Sequence, residues 1–259
     1  MAHPALESPA RAQALLRQAA LLRVLAESFA YPEAGHTRRL ARQYAHLAPA
    51  GAEPPSLARA RVRARRAWEG ADDEAAREEY ARLFLGGALC PIRETAYGDA
   101  RRIGGRAAEL ADIGGFYAAF GFQMSDLDRQ PPDHLCVELE FASLLCLKAA
   151  FGVRVGWSER GRIAGEALRK FLQDHLGRWV NAFGGEAERA GARSPYRESA
   201  ALLAAAIETT MRRMRVAASP LQGVAPPDFM QADAFECPMA PPAGGGTADL
   251  HQGNPQPQP

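Results

Sequence analysis

Apolar positions recur at helical spacing along nearly the whole chain. A Ser8-Pro9 start pairs an N-cap with an N1 proline. Leu15, Leu16, Ala19, Leu22 and Ala26 then repeat until Tyr31-Pro32 stops the run. A short helix is predicted from Thr37 to about His46, and residues 48–56 read as a loop. Ser56 is placed to cap a helix to Trp68, one face of which carries Arg59, Arg61, Arg63, Arg65 and Arg66, the pattern of a solvated face. Asp72 caps the next helix, which runs through Leu85 with Asp73 and Glu74 in the turn where the helix dipole favours anions. Gly86-Gly87 ends it. Residues 86–104 read as a loop, 105–120 as helix and 121–131 as loop.

Pro131-Pro132 opens the most apolar stretch, LCVELEFASLLCLKAAF. Leu135, Leu139, Ala142, Cys146 and Ala149 lie on one face; Val137, Phe141, Leu144 and Leu145 lie on another. A helix apolar on most sides belongs at the centre of a bundle. Ser158 caps a helix toward Leu176, Gly177 marks a bend before Trp179–Phe183, and Ser194-Pro195 starts the last long helix, to about Val216. No strand alternation and no 20–50-residue repeat competes with this reading. The expectation is an all-α fold, a single multi-helix bundle of roughly eight to ten helices.

The pattern stops near Ala217. Residues 218–259 hold nine of the 19 prolines, a GGG run, four acids and no Lys or Arg. They read as a flexible, acidic, proline-rich tail behind a helical domain of residues 1–217, with DFMQADAFECPM as a segment able to dock. Over all 259 residues, 47% are hydrophobic, 24% are charged and the net charge is +1. That balance is globular and points to neither nucleic acid nor stable membrane insertion. Arginines number 29 against two lysines, a compositional bias. The N-terminal stretch is broken by Arg11, Arg17 and Arg23, so it does not read as a secretory signal. Cys90, Cys136, Cys146 and Cys237 form no CxxC pair, and the default is a cytoplasmic chain with reduced thiols.

Phosphate-binding, nucleophile-elbow and HExxH motifs are absent from the sequence. Two Asp-His pairs, Asp133-His134 and Asp174-His175, admit a metal-dependent hydrolase. The plainer reading places Asp133 at a helix N-terminus and hydrogen-bonds His134 to a neighbouring loop. A third alternative is a helical scaffold that uses the proline-rich tail as its binding arm.

Four stretches in order carry a family resemblance: EYARLFLGGALCPIRETAYG (79–98), PPDHLCVELEF (131–141), FLQDHLGRWVNAF (171–183) and SPYRESAALLAAAIE (194–208). Together they resemble the TorD/DmsD/NarJ redox-enzyme maturation chaperones. CPIRETAYG is most similar to the branch serving type II enzymes, which includes ethylbenzene and dimethylsulfide dehydrogenases and selenate and chlorate reductases. The resemblance implies an all-helical, non-enzymatic, cytoplasmic protein with no cofactor or metal of its own; helical domains with long connections can exchange elements, so monomer and dimer are both expected. It would bind the apo catalytic subunit of a dimethyl-sulfoxide-reductase-type molybdoenzyme, its twin-arginine signal peptide, or both, until the molybdenum cofactor is inserted.

On that resemblance, Tyr80, Leu83 and Phe84, at i, i+3 and i+4, line a groove for the signal peptide, although Leu83 alone reads as core. Pro91, Glu94 and Tyr97 form its mouth, and Asp133, His134 and Glu138 contribute to client binding. Glu138 and Glu140 need partners, either an internal arginine or one from the client. Asp126 and Asp128 are loop acids suited to steering arginines. His175 and Trp179, at i, i+4, are expected to stack as structural residues.

Overall fold

The periodic segments become helices in the computed structural model, which describes residues 9–47, 53–98, 105–124, 130–221 and 223–224. Among the described residues these are α1 (Pro9–Ser28), α2 (His36–His46), α3 (Pro55–Glu69), α4 (Asp73–Phe84), α5 (Gly105–Ala119), α6 (Leu135–Arg154), α7 (Ser158–Asp174), α8 (Leu176–Arg189) and α9 (Tyr196–Met214), with a 3-10 turn at Glu94–Ala96. The described residues contain no strand, only two isolated bridges, Arg93 with His134 and Tyr97 with Val224. All of them belong to one unit, Met1–Ala225.

Two adjacent aspartates cap different helices. Asp72 Oδ1 accepts from the backbone N–H groups of Glu74 (2.9 Å) and Ala75 (3.2 Å), closing α4 as its position predicts. Asp73 reaches across to α2, accepting from Thr37 N (2.9 Å), Thr37 Oγ1 (2.8 Å) and Gly35 N (2.6 Å). Those bonds, the Thr37 backbone first, hold its carboxyl down at about 2. The expected cap at Ser56 is displaced: α3 starts at Pro55, the N1-type position that proline favours. Ser158 is likewise the first residue of α7 rather than its cap.

α6 is central, as its apolar composition requires. It packs along α1 and α7, while α3 lies on α9 and α8 lies between α7 and α9. Ser143 Oγ donates to Ala19 O (2.9 Å) and ties α6 to α1. Trp68 Nε1 donates to Ser199 Oγ (3.0 Å) and ties α3 to α9. Both predicted faces of α6 are buried, with Leu144 half-buried.

The predicted bend at Gly177 falls instead at His175, whose φ of −127° and ψ of −101° separate α7 from α8. Gly177 lies inside α8 for a steric reason. A Cβ there would sit 2.2 Å from Leu172 O and 2.7 Å from Met211 Sδ. Past Ala217 the chain continues against the helices. Leu221 is buried and its N–H donates to Arg178 O (2.8 Å), while Gly98 N–H donates to Gly223 O (3.2 Å). Gly98 has φ +93°, and its missing Cβ leaves space for Leu221. The DFMQADAFECPM segment and the rest of the predicted tail beyond Val224 lie outside the described residues.

Candidate functional site

Three of the four motif segments meet in one buried polar hub. The segment between α4 and α5 is held to the start of α6: Glu94 N donates to Asp133 O (2.9 Å) and Leu135 N to Ile92 O (3.1 Å). Asp133, fully buried, accepts from Thr95 N (3.3 Å), Thr95 Oγ1 (2.6 Å) and Arg93 Nε (3.2 Å). His134 is the N-cap of α6, its Nδ1 accepting from Cys136 N (3.3 Å). Tyr97 closes the turn on itself by donating to Pro91 O (2.6 Å), and Tyr117 of α5 donates to Pro132 O (2.7 Å).

Beneath this turn lies a carboxyl pair. Glu138 Oε2 accepts from Trp179 Nε1 of α8 (3.1 Å), and Glu94 Oε2 pairs with His175 Nδ1 (3.2 Å). The remaining oxygens, Glu94 Oε1 and Glu138 Oε1, are buried with no donor. One proton shared between the two carboxyls satisfies both. Burial raises the Glu94 carboxyl to about 7 despite the opposing pull of His175. Burial first, then Glu94, raises Glu138 well above the carboxylate range. Burial works against charge on His175, but Glu94, Asp112 and Glu109 outweigh it and raise its pKa. Its Nε2 lies 3.2 Å from Asp112 Oδ2 of α5. Burial lowers His134 to about 4, so it caps α6 as a neutral ring.

The hub gathers Pro91, Glu94, Tyr97, Asp133, His134 and Glu138; Pro91 is half-buried and the other five are interior groups rather than a surface. Tyr80, Leu83 and Phe84 do not join it. All three are buried in an aromatic core where Phe84 meets Phe29 (6.3 Å), Phe183 (6.2 Å) and Tyr196 (5.5 Å), and Tyr80 meets Phe84 (5.0 Å). The i, i+3, i+4 face is real, but α8 and α9 already cover it. His175 and Trp179 do not stack on each other. His175 lies against Phe116 (5.4 Å) and Phe171 (5.3 Å), Trp179 against Tyr97 (5.3 Å) and Phe183 (5.9 Å). The break at His175 takes them off one continuous helix, so the i, i+4 rule no longer applies. Glu140 pairs with Arg23 of α1, the internal partner its position called for, whereas Glu138 has Trp179 and, among the described residues, no arginine. Asp126 and Asp128 lie outside the described residues.

Two open concavities flank α7. At its C-terminal end a cavity of about 740 Å³ is lined by Glu109, Asp112, Asp174, His175 and Arg178. It is the outward face of the hub, since His175 belongs to both. Near its N-terminal end, a cavity of about 520 Å³ is lined by Phe120, Leu147, Phe151, Trp157 and Ile163. Phe151 is 54% exposed and Trp157 49%, large apolar side chains left in water. Neither surface was singled out from the sequence. Phe151 and Trp157 had a visible signal, two aromatics bracketing the GVRVG turn at the end of an otherwise buried helix.

The two Asp-His pairs are committed to internal bonds, and among the described residues no group of three or more His, Cys, Asp or Glu is arranged to hold a metal ion. Cys90, Cys136 and Cys146 are free and buried. No described helix is long and apolar enough to cross a membrane.

Fold and site define an all-helical bundle whose polar motif residues join its own elements around a buried carboxyl pair. The family model described as nitrate reductase delta subunit matches residues 45–184, a span that contains the first three motifs. The selenate reductase assembly chaperone protein of Thauera selenatis is 33% identical over 161 residues, 61% of this chain and 70% of that protein. The chlorate reductase assembly chaperone protein of Ideonella dechloratans is 30% identical over 159 residues, with the same coverage of each chain. A crystal structure described as a redox enzyme maturation protein from Archaeoglobus fulgidus aligns at 20% identity over 60% of this chain and 93% of its own, with a TM-score of 0.39, too low to carry an argument. The chain belongs to the nitrate reductase delta subunit family, within the redox-enzyme maturation chaperones that its motifs resemble.

Proposed function

We propose that this protein is a cytoplasmic assembly chaperone, not an enzyme. It binds the apo catalytic subunit of a dimethyl-sulfoxide-reductase-type molybdoenzyme and holds it for cofactor insertion. The observation that carries the reading is membership of the family, with two relatives named as assembly chaperones for selenate and chlorate reductases. The two concavities flanking α7 supply a surface suited to that role. Glu109, Asp112 and Asp174 at one end pair with Arg178, His175 and Lys170 and would take a client guanidinium by exchanging those partners, while the exposed aromatics at the other end suit an apolar segment. The helical rise from Ala164 to Asp174 separates them by about 15 Å, about five residues of extended chain. A twin-arginine signal peptide carries its arginines and its apolar run in that order. Asp133, His134, Glu138 and the Glu94 turn act as positioning residues that fix α5 and α7 beside this surface.

Release follows when cofactor insertion stabilises the folded client, a population shift that needs no chemistry from the chaperone. A releasable complex calls for an affinity on the order of micromolar, about −8 kcal/mol. The test is co-expression with a molybdoenzyme catalytic subunit carrying such a signal, measuring complex formation and cofactor content. The expected result is a complex with the apo form and loss of client cofactor when the chaperone is omitted. Equal cofactor content without it, or capture only of the loaded enzyme, contradicts the proposal.

A further inference from the structure

Charge and burial oppose each other where the client surface meets the hub. Glu94 and Glu138 are fully buried, and each has one oxygen without a donor. Among the described residues, the cation in contact with this pair is His175, whose Nδ1 lies 3.2 Å from Glu94 Oε2. On its other side, His175 Nε2 lies 3.2 Å from Asp112 Oδ2, within ion-pair distance but without the alignment of a hydrogen bond. Three carboxyls thus bear on one imidazole. The charged groups around them face one another: Asp133 and Arg93, Asp174 and Lys170, and Glu109 and Arg178 at 3.9 Å. Burial keeps the Tyr117 phenol neutral, and His134 is a neutral cap. Unpaired charge in a buried site is costly, so protons make up the shortfall. Burial raises Glu94 to about 7, where it exchanges a proton near neutral pH.

Asp112 links this cluster to the outside. Its side chain is 65% exposed and lines the cavity at the C-terminal end of α7. A guanidinium that takes Asp112 draws the outer carboxylate away from His175 and sets a positive charge beside the hub. Both effects act in one direction: they favour loss of a proton from the imidazole and ionisation of the carboxyl pair. We propose that a guanidinium arriving at Asp112 drives a proton out of the Glu94–Glu138–His175 cluster, so that client binding and proton release are linked. The proton goes to solvent, and the guanidinium keeps its own. By reciprocity, falling pH discharges the client and rising pH loads it. This inference rests on the client surface proposed above and adds its regulation.

The test is titration calorimetry on the full chain at about pH 7 with an N-acetylated, C-amidated peptide. The peptide carries two adjacent arginines ahead of a run of leucine, alanine and serine, with no group titrating near neutrality. Comparing phosphate and Tris buffers, whose ionisation enthalpies differ, gives the number of protons released. The expected release is about half to one proton, with affinity about threefold or more weaker at about pH 6 than at about pH 8. Carboxylates that titrate near 4 in water release none at about pH 7. Glu138→Gln offers Glu94 an amide donor in place of the shared proton, which holds Glu94 ionised and His175 charged. It should cut the release by about half or more and flatten the pH dependence. The wild-type buffer comparison decides the linkage even if this variant fails to fold. Binding without release, proton uptake, or release undiminished by Glu138→Gln overturns the linkage and leaves the client surface standing. No binding at millimolar peptide overturns both.

Discussion

Glu138 is wholly buried with a carboxyl that resists ionisation, whereas Trp157, an indole that would favour burial, keeps 49% of its surface in water. The polar hub and the cavity near the start of α7 thus reverse the usual placement of polar and apolar groups, for different reasons. In the hub, three buried carboxyls join separate segments: Asp133 holds the Glu94 turn to α6, Glu138 holds α6 to α8, and Glu94 reaches His175. In the cavity, Phe151 and Trp157 pack edge to face at 5.6 Å with Arg160 over the indole at 4.5 Å, and no other described element covers them. Burial of polar groups there fixes geometry; exposure of apolar groups here leaves the surface proposed above for a client. The motif residues belong to the first kind, so their recognisability reflects how the bundle is locked together.

The sharpest test of this division is Phe84→Ala. As a core residue it should cost about 3–5 kcal/mol in urea unfolding. A variant of unchanged stability that nevertheless lost client binding would return Phe84 to a binding groove. Asp133→Ala should follow at about 3 kcal/mol, because it strands the Thr95 donors and the Arg93 guanidinium, with native-like helix content in circular dichroism below the unfolding transition. Loss of client binding without loss of stability would move Asp133 from the hub to the surface.

A smaller effect separates titrating from merely polar groups. Glu94 and Glu138 are raised above 4.5, and a carboxyl raised by folding contributes stability that is whole below its unfolded pKa and lost as pH rises through the folded one. For Glu94 that window is 4.5 to about 7, and Glu138 has the same sign. His134 has the opposite sign: lowered from 6.5 to about 4, its contribution is present above 6.5 and lost as pH falls through 4. Glu138→Gln keeps an acceptor for Trp179 but cannot ionise. Between about pH 5 and pH 8, wild type should therefore lose more stability than this variant. Parallel profiles would remove the shared proton from the account. Trp157→Ser should change stability least, within about 0.5 kcal/mol, while weakening client capture in a pull-down. A large drop in melting temperature would show Trp157 to be core.

Much of this architecture was legible from residue spacing. The apolar surround of α6 announced a central helix, Asp72 announced the start of α4, and Gly86-Gly87 announced its end. The hub was legible only in part. Asp133, His134, Glu138 and Glu94 were all marked as special, but the same residue types serve a surface that meets a cation and an interior that shares a proton. Burial decides between these, and burial depends on which helices arrive from elsewhere in the chain. Tyr80 and Phe84 show this: their common face follows from the 3.6-residue repeat, and what covers it depends on α8 and α9.

Periodicity and capping are local, and they alone determined the helical class, most helix bounds and the order of the motifs. Tertiary structure decided which polar residues lost their water, which aromatics kept it, and that the helix break falls at His175 while Gly177 yields its side-chain space to Leu172 and Met211. Solvation and close packing depend on atoms far apart along the chain, so no window of sequence contains them.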